Sequence, residues 1–108
     1  MMSGLSLGPI LEFLKKDDVA TLSQFLDCDK VDVDEKDEDG WTGLFYAVTS
    51  NKVEFVSVLL EKGAYPNRFD NQSRTPLFEA VTGNNLEIVT LLIDAGAEIE
   101  IKAKYKST

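Results

Sequence analysis

The chain contains no histidine. The side chain that most often serves as a general base near neutral pH is therefore missing. There is also no Gly-x-Ser-x-Gly elbow and no phosphate-binding glycine loop, so neither catalysis nor a cofactor is expected. An enzymatic role would need residues from another chain. With one cysteine, Cys28, an internal disulfide is excluded, and a lone thiol suits a reducing compartment. Cys28 itself reads as a small packing residue near a helix end. No apolar run approaches the roughly 20 residues that cross a bilayer. The first ten residues hold no Lys or Arg, which argues against a secretory signal. Positive charge is scarce: 11 Lys and Arg against 19 Asp and Glu leave a net charge of -8. That balance disfavours nucleic acid, whose phosphates demand a basic face, and anionic membrane surfaces. It permits a basic protein partner and favours solubility. The expected location is the cytoplasm or the nucleus.

What is present is repetition. The chain of 108 residues, 44% of them apolar, is long enough for one domain with a modest core. The stretch Thr42-Gly43-Leu44-Phe45-Tyr46-Ala47-Val48-Thr49-Ser50-Asn51 returns 33 residues later as Thr75-Pro76-Leu77-Phe78-Glu79-Ala80-Val81-Thr82-Gly83-Asn84. Val53-Glu54-Phe55-Val56 returns as Leu86-Glu87-Ile88-Val89, and Gly63-Ala64 as Gly96-Ala97. A period of this size means stacked supersecondary units, each too small to bury its own apolar face. Such stacks present a surface to a partner.

Each unit carries two runs at helical spacing. Leu44, Ala47 and Val48 are followed by Val53, Val56, Leu59 and Leu60; Leu77, Ala80 and Val81 by Leu86, Val89, Leu92 and Ile93. Asn51 and Asn84 stand where the first helix must end, and Gly63 and Gly96 close the second. Thr75-Pro76 is a helix start, with threonine as cap and proline in the first position. A degenerate unit precedes these two. Gly8-Pro9-Ile10 takes the place of Thr75-Pro76-Leu77, Asp17-Asp18 make the turn, and Val19, Leu22, Phe25 and Leu26 form the second helix. Glu12, Lys15, Lys16, Ala20 and Gln24 give this unit the small or polar cover of a terminal cap. The pattern predicts six helices near residues 9–16, 19–27, 43–50, 53–61, 76–83 and 86–94, with no extended sheet.

These residues resemble the ankyrin repeat. The family's signature Asp-x-x-Gly-x-Thr-Pro-Leu-His-x-Ala is matched by Asp37-Glu38-Asp39-Gly40-Trp41-Thr42-Gly43-Leu44-Phe45-Tyr46-Ala47 and by Asp70-Asn71-Gln72-Ser73-Arg74-Thr75-Pro76-Leu77-Phe78-Glu79-Ala80. Its Leu-Leu-x-x-Gly-Ala-x-x-Asn is matched by Leu59-Leu60-Glu61-Lys62-Gly63-Ala64-Tyr65-Pro66-Asn67. The resemblance implies an all-α solenoid of stacked helix-turn-helix pairs with projecting β-hairpin-like loops. The capping repeat falls at 5–34, the clear repeats at 38–67 and 71–100, and the start of a further loop at 101–108. Phe45 and Phe78 replace the usual histidine, so its hydrogen bond to the threonine is absent, and aromatic packing between repeats is expected to compensate. Gly43 replaces the usual proline, which predicts a looser helix start. In this family the loop tips and the exposed side of each first helix bind partners. By position, the tip residues are Glu38, Asp39, Trp41, Asn71, Gln72 and Arg74, and the first-helix residues are Tyr46, Thr49, Ser50, Glu79 and Thr82.

Three features admit a second reading. The run Asp32-Val33-Asp34-Glu35-Lys36-Asp37-Glu38-Asp39-Gly40 has calcium-loop character, with Gly40 sixth from Glu35, but Tyr46 stands where the closing glutamate belongs. The run is then either a solvated loop or an electrostatic patch for a basic partner. Trp41, the sole tryptophan, is either an interface anchor or a packing residue near Phe69 or Arg74. Asn71-Gln72-Ser73 matches a glycosylation acceptor and reads, without a secretory signal, as a polar turn.

One period on from Thr75 lies Thr108, the last residue, and Leu86, Val89 and Ile93 fall on the side that a following repeat would cover. The expectation is the N-terminal part of a longer array, with these residues more exposed than Val53, Val56 and Leu60. The preferred function is a non-catalytic, intracellular interaction module, a scaffold or adaptor. The alternatives are a targeting or regulatory segment of a larger enzyme, and a unit that self-associates through its last repeat or docks its tail through Tyr105.

Overall fold

Residues 6–28 and 30–98 are described by a computed structural model. Among them six helices run in pairs: α1 (Leu7–Lys16) with α2 (Val19–Leu26), α3 (Gly43–Thr49) with α4 (Val53–Glu61), and α5 (Pro76–Thr82) with α6 (Leu86–Asp94). Threonine starts the first helix of both clear repeats. The Thr42 Oγ1 accepts from the Phe45 amide at 3.3 Å and the Thr75 Oγ1 from the Phe78 amide at 3.1 Å, each satisfying an N–H that the helix leaves unpaired. Asp18 and Asn85 do the same for α2 and α6. Within each pair the chain reverses through a left-handed residue, Asp17, Asn51 or Asn84, with φ of 57°, 59° and 59°. Gly63 and Gly96, with φ of 99° and 101°, end α4 and α6 in a conformation that a Cβ disfavours.

The first helix begins at Leu7, two residues before the expected start at Pro9. The cause is distant in sequence. A carboxylate oxygen of Glu35 accepts from both the Ser6 and the Leu7 amides at 2.8 Å. Pro9 then lies in the first turn, where its missing N–H is not needed.

The first helices α1, α3 and α5 stack in one layer and α2, α4 and α6 in a second. Ile10, Leu14, Leu22, Leu44, Val56, Leu59, Ile88 and Leu92 form a continuous core between the layers, and Ala47 and Ala80 let the stacked helices approach closely. Gly43 is part of this packing. A Cβ there would come within 2.8 Å of the Ile10 Cγ2, so the departure from proline reflects contact with the cap repeat. The expected loosening is not seen: Gly43 is buried and the Thr42 cap is formed.

Polar bonds between repeats follow the same 33-residue register. The Asp34 Oδ1 accepts from the Tyr65 amide at 2.9 Å, and the Asn67 Oδ1 accepts from the Glu98 amide at 2.8 Å. Lys52 pairs with Asp17 and Lys62 with Asp27, which ties the cap to the second repeat at both ends.

The third repeat has no such cover. Val81, Leu86 and Ile93 are 58%, 72% and 40% exposed, and Val89 is half-buried. Their equivalents in the second repeat are either buried, as Val48 and Val56, or half-buried, as Val53 and Leu60. The expected loop at 101–108 and its Tyr105 lie outside the described residues, as do positions 99 and 100 of the third repeat.

Candidate protein-interaction surface

Two loops precede α3 and α5, and each is organised by one aspartate. In the first, the Asp37 Oδ1 accepts from the Asp39 amide at 2.9 Å and the Trp41 amide at 3.0 Å, while its Oδ2 accepts from the Tyr46 hydroxyl. In the second, the Asp70 Oδ1 accepts from the Gln72 and Arg74 amides at 2.9 Å. The Asp70 Oδ2 accepts from the Arg74 Nε at 3.0 Å and the Trp41 Nε1 at 3.1 Å. The hairpin character is slight: outside the helices, the described residues hold one isolated antiparallel bridge, Lys36 to Thr42.

Trp41 joins the loops. Its indole N–H reaches across to Asp70, its ring lies 4.7 Å from Phe45 and 4.9 Å from Tyr46, and the Arg74 guanidinium sits 5.9 Å above it. The packing reading of Trp41 is therefore met by Arg74, whereas Phe69 is 63% exposed. The aromatic contact of Phe45 lies within its own repeat and not between repeats: its partner is Trp41, in the loop just before the Thr42 cap of the same helix. Gly40, with φ of 83°, brings the loop backbones together: a Cβ there would meet the Asn71 Oδ1 at 2.9 Å. The Asn71 amide donates to the Asp39 carbonyl at 3.0 Å, and its side chain donates to the Glu38 carbonyl at 2.6 Å.

The electrostatics follow from these bonds. Burial alone would raise the Asp70 carboxyl, but the Arg74 and Gln72 amides, the Arg74 side chain and the Trp41 indole hold it below the ordinary aspartate value. Asp37 is also lowered: burial opposes the shift, and the Tyr46 hydroxyl with the Trp41 and Asp39 amides overcomes it. The Tyr46 hydroxyl is pushed up to about 12, first by its bond to Asp37 and then by burial. Both carboxylates are thus anionic at neutral pH, and Asp37 is engaged by its own loop.

Of the eleven residues carried over by position, Glu38, Asp39, Asn71 and Gln72 project at the tips and are exposed, and Trp41 and Arg74 are half-buried in the clamp. Tyr46 and Glu79 continue this surface onto the first helices, Glu79 lying 3.8 Å from Arg74. Thr49, Ser50 and Thr82 are exposed at the far ends of α3 and α5. Replacing Trp41 would disturb the fold as well as the surface, because its indole holds the two loops together. Among the described residues no group of three or more His, Cys, Asp or Glu side chains is placed to hold a metal.

Sequence reasoning missed the first-repeat side of this surface. Leu7, Gly8 and Leu11 of α1 line an open groove with Glu35, Asp37 and Glu38. Their signal was hidden by the degeneracy of the first repeat. The exposed Tyr65 and Phe69, 50% and 63% accessible, were likewise not singled out as surface aromatics.

A family model described as ankyrin repeats, in three copies, matches residues 11–103. No curated protein matches the chain.

Proposed function

Because the chain belongs to the ankyrin-repeat family, whose members are in general protein–protein interaction modules, we propose that it is a non-catalytic scaffold or adaptor that binds a basic segment of another protein. The observation that carries this reading is the pair of loop tips. Glu38 and Asp39 project into solvent from backbone that Asp37, Trp41 and Asp70 hold in one arrangement. An ordered anionic edge loses little conformational entropy on binding and steers a basic partner toward it. The net charge of -8 acts in the same sense.

The test is a pull-down that compares the intact chain with a Glu38→Lys/Asp39→Lys variant at low and high salt. The expected result is a partner retained by the intact chain, held less tightly as salt rises and weakly held by the variant. Equal retention of that partner by both proteins would refute the site.

A second reading concerns the outward face of α5 and α6. The exposure of Val81, Leu86 and Ile93, at positions that the next repeat covers elsewhere in the stack, favours a following repeat of the same array over this face.

A further inference from the structure

Gly8 has no reason within the fold. It lies at the second position of α1, its φ is not left-handed, and a Cβ built on it would meet nothing within 4 Å. Glycine is the poorest helix former after proline, so an alanine here would strengthen α1 without a clash. What its absence leaves open is a groove of about 460 Å³, with Leu7, Gly8 and Leu11 on one side and Glu35, Asp37 and Glu38 on the other. Three carboxylates there outnumber Lys36. A second hollow of about 300 Å³ shares Leu11 and continues past Leu14 and Tyr46 to Lys15 and Lys52. Lys52 is paired with Asp17. The two hollows thus share Leu11: the first, between α1 and the loop at 35–38, is rich in carboxylates, and the second, between α1 and α3, carries Lys15 and Lys52 at the turn end. From Leu7 to Lys15 the helix rises about 12 Å, the span of about four extended residues.

We propose that this groove binds a short extended segment of a partner protein by three features of that segment. An apolar side chain rests on Leu7, Gly8 and Leu11; a lysine or arginine faces Glu38 and its neighbouring carboxylates; an aspartate or glutamate, about four residues away, faces Lys15. The proposal rests on the interaction-module reading and adds the chemistry of the ligand. Family likeness supplies only the general surface of first helices and loop tips; the chemistry of the ligand comes from Gly8 and the charges of this groove. Gly8 acts as the gate on specificity, since any larger residue fills the space for the partner's apolar side chain.

The probe is a set of eight-residue peptides, acetylated and amidated, that carry Arg, Leu and Glu with Arg and Glu three, four or five residues apart. Controls carry Ser for Leu or Glu for Arg. Backbone amide shifts of the labelled full chain are followed by NMR. At least one spacing should shift Gly8, Leu11 and Glu38 together and bind at least about ten-fold tighter than both controls. Gly8→Leu should lower that affinity by about ten-fold or more while the helical spectrum is kept. Glu38→Lys, which leaves the sequence of α1 unchanged, should weaken the same peptide and improve the Glu-for-Arg control. The proposal is overturned if no spacing moves these amides, or if folded Gly8→Leu binds as well as the native chain. It is also overturned if the same amides move with protein concentration alone, which would seat a second copy in the groove. Because Gly8→Leu leaves the loop tips unchanged, shifts confined to Trp41, Asn71 and Gln72 would sink the groove and leave the module standing.

Discussion

Asp37 and Asp70 stand 33 residues apart and do the same work in successive loops, accepting several donors with one carboxylate. Their pKa values lie below the ordinary 3.8. The stabilisation they give is therefore full above about pH 4 and is lost as the pH falls through the lower folded values. Tyr46 has the opposite sign. Its hydroxyl is raised from 10.0 to about 12, so its contribution is full below pH 10.0 and is lost as the pH rises toward 12. Absorbance titration should show one tyrosine ionising near 12 in the native chain, and Asp37→Asn should bring it down toward 10.0. Tyr46→Phe should cost about 1 kcal/mol at pH 7 and reduce the loss of stability at both pH extremes. A pair of glycines tests packing at the same scale. Gly43→Ala pushes a methyl onto Ile10 and should destabilise by about 1 kcal/mol or more. Gly8→Ala meets nothing and should stabilise by about 0.5 kcal/mol. Thermal melts of the two variants that moved in the same direction would contradict this account.

Among the elements, each helix owes its start to a particular oxygen acceptor where one is formed, and those acceptors differ in how local they are. Thr42 and Thr75 act three residues ahead of their donors, so Thr75→Ala should cost about 1 kcal/mol and loosen α5 without touching the loops. The acceptor for α1 is Glu35, 28 and 29 residues from its donors. Glu35→Ala should therefore raise hydrogen exchange at the first amides of α1, although the substitution lies in a loop between α2 and α3. Protection of α1 unchanged by that substitution would show that the cap is dispensable. The loops behave as one element with two tips. Trp41→Ala removes the indole bond to Asp70 and the ring contacts with Phe45 and Tyr46, and should destabilise by about 2 kcal/mol.

For the whole molecule, stability is the sum of repeats and of the interfaces between them. The interior interfaces have an apolar, covered core; the outward face of α5 and α6 is apolar and open. Changing Leu86 to Glu and Ile93 to Gln should raise solubility and suppress any concentration-dependent association, with little change in melting temperature, because these positions are 72% and 40% exposed. Sedimentation and thermal melts on one sample would measure both effects. By contrast Val56→Glu, at the position equivalent to Val89 and at 0% exposure, should unfold the stack, since it buries a charge without a partner. A large fall in melting temperature for Leu86→Glu/Ile93→Gln in a monomeric sample would mean that the face is already covered.

The sequence by itself determined the elements. Five of the six expected helix starts coincide with those observed, because the signals are local: a cap within three residues, an apolar period, and Asn or Gly where the chain must turn left-handed. Thr42, Thr75, Asn51, Asn84, Gly63 and Gly96 all carried that information. The tip residues Glu38, Asp39, Asn71 and Gln72 were legible too, since their positions follow from the repeat register. Only the tertiary structure decided the remainder. Glu35 caps a helix nearly a full repeat earlier, Trp41 bonds an aspartate in the next loop, Gly43 makes room for Ile10, and Gly8 opens onto a groove that α1 and the loop of the next repeat must meet to form. Each of these depends on contact between neighbouring repeats. A period in the sequence states that the units stack; it does not state which side chain of one unit meets which atom of the next.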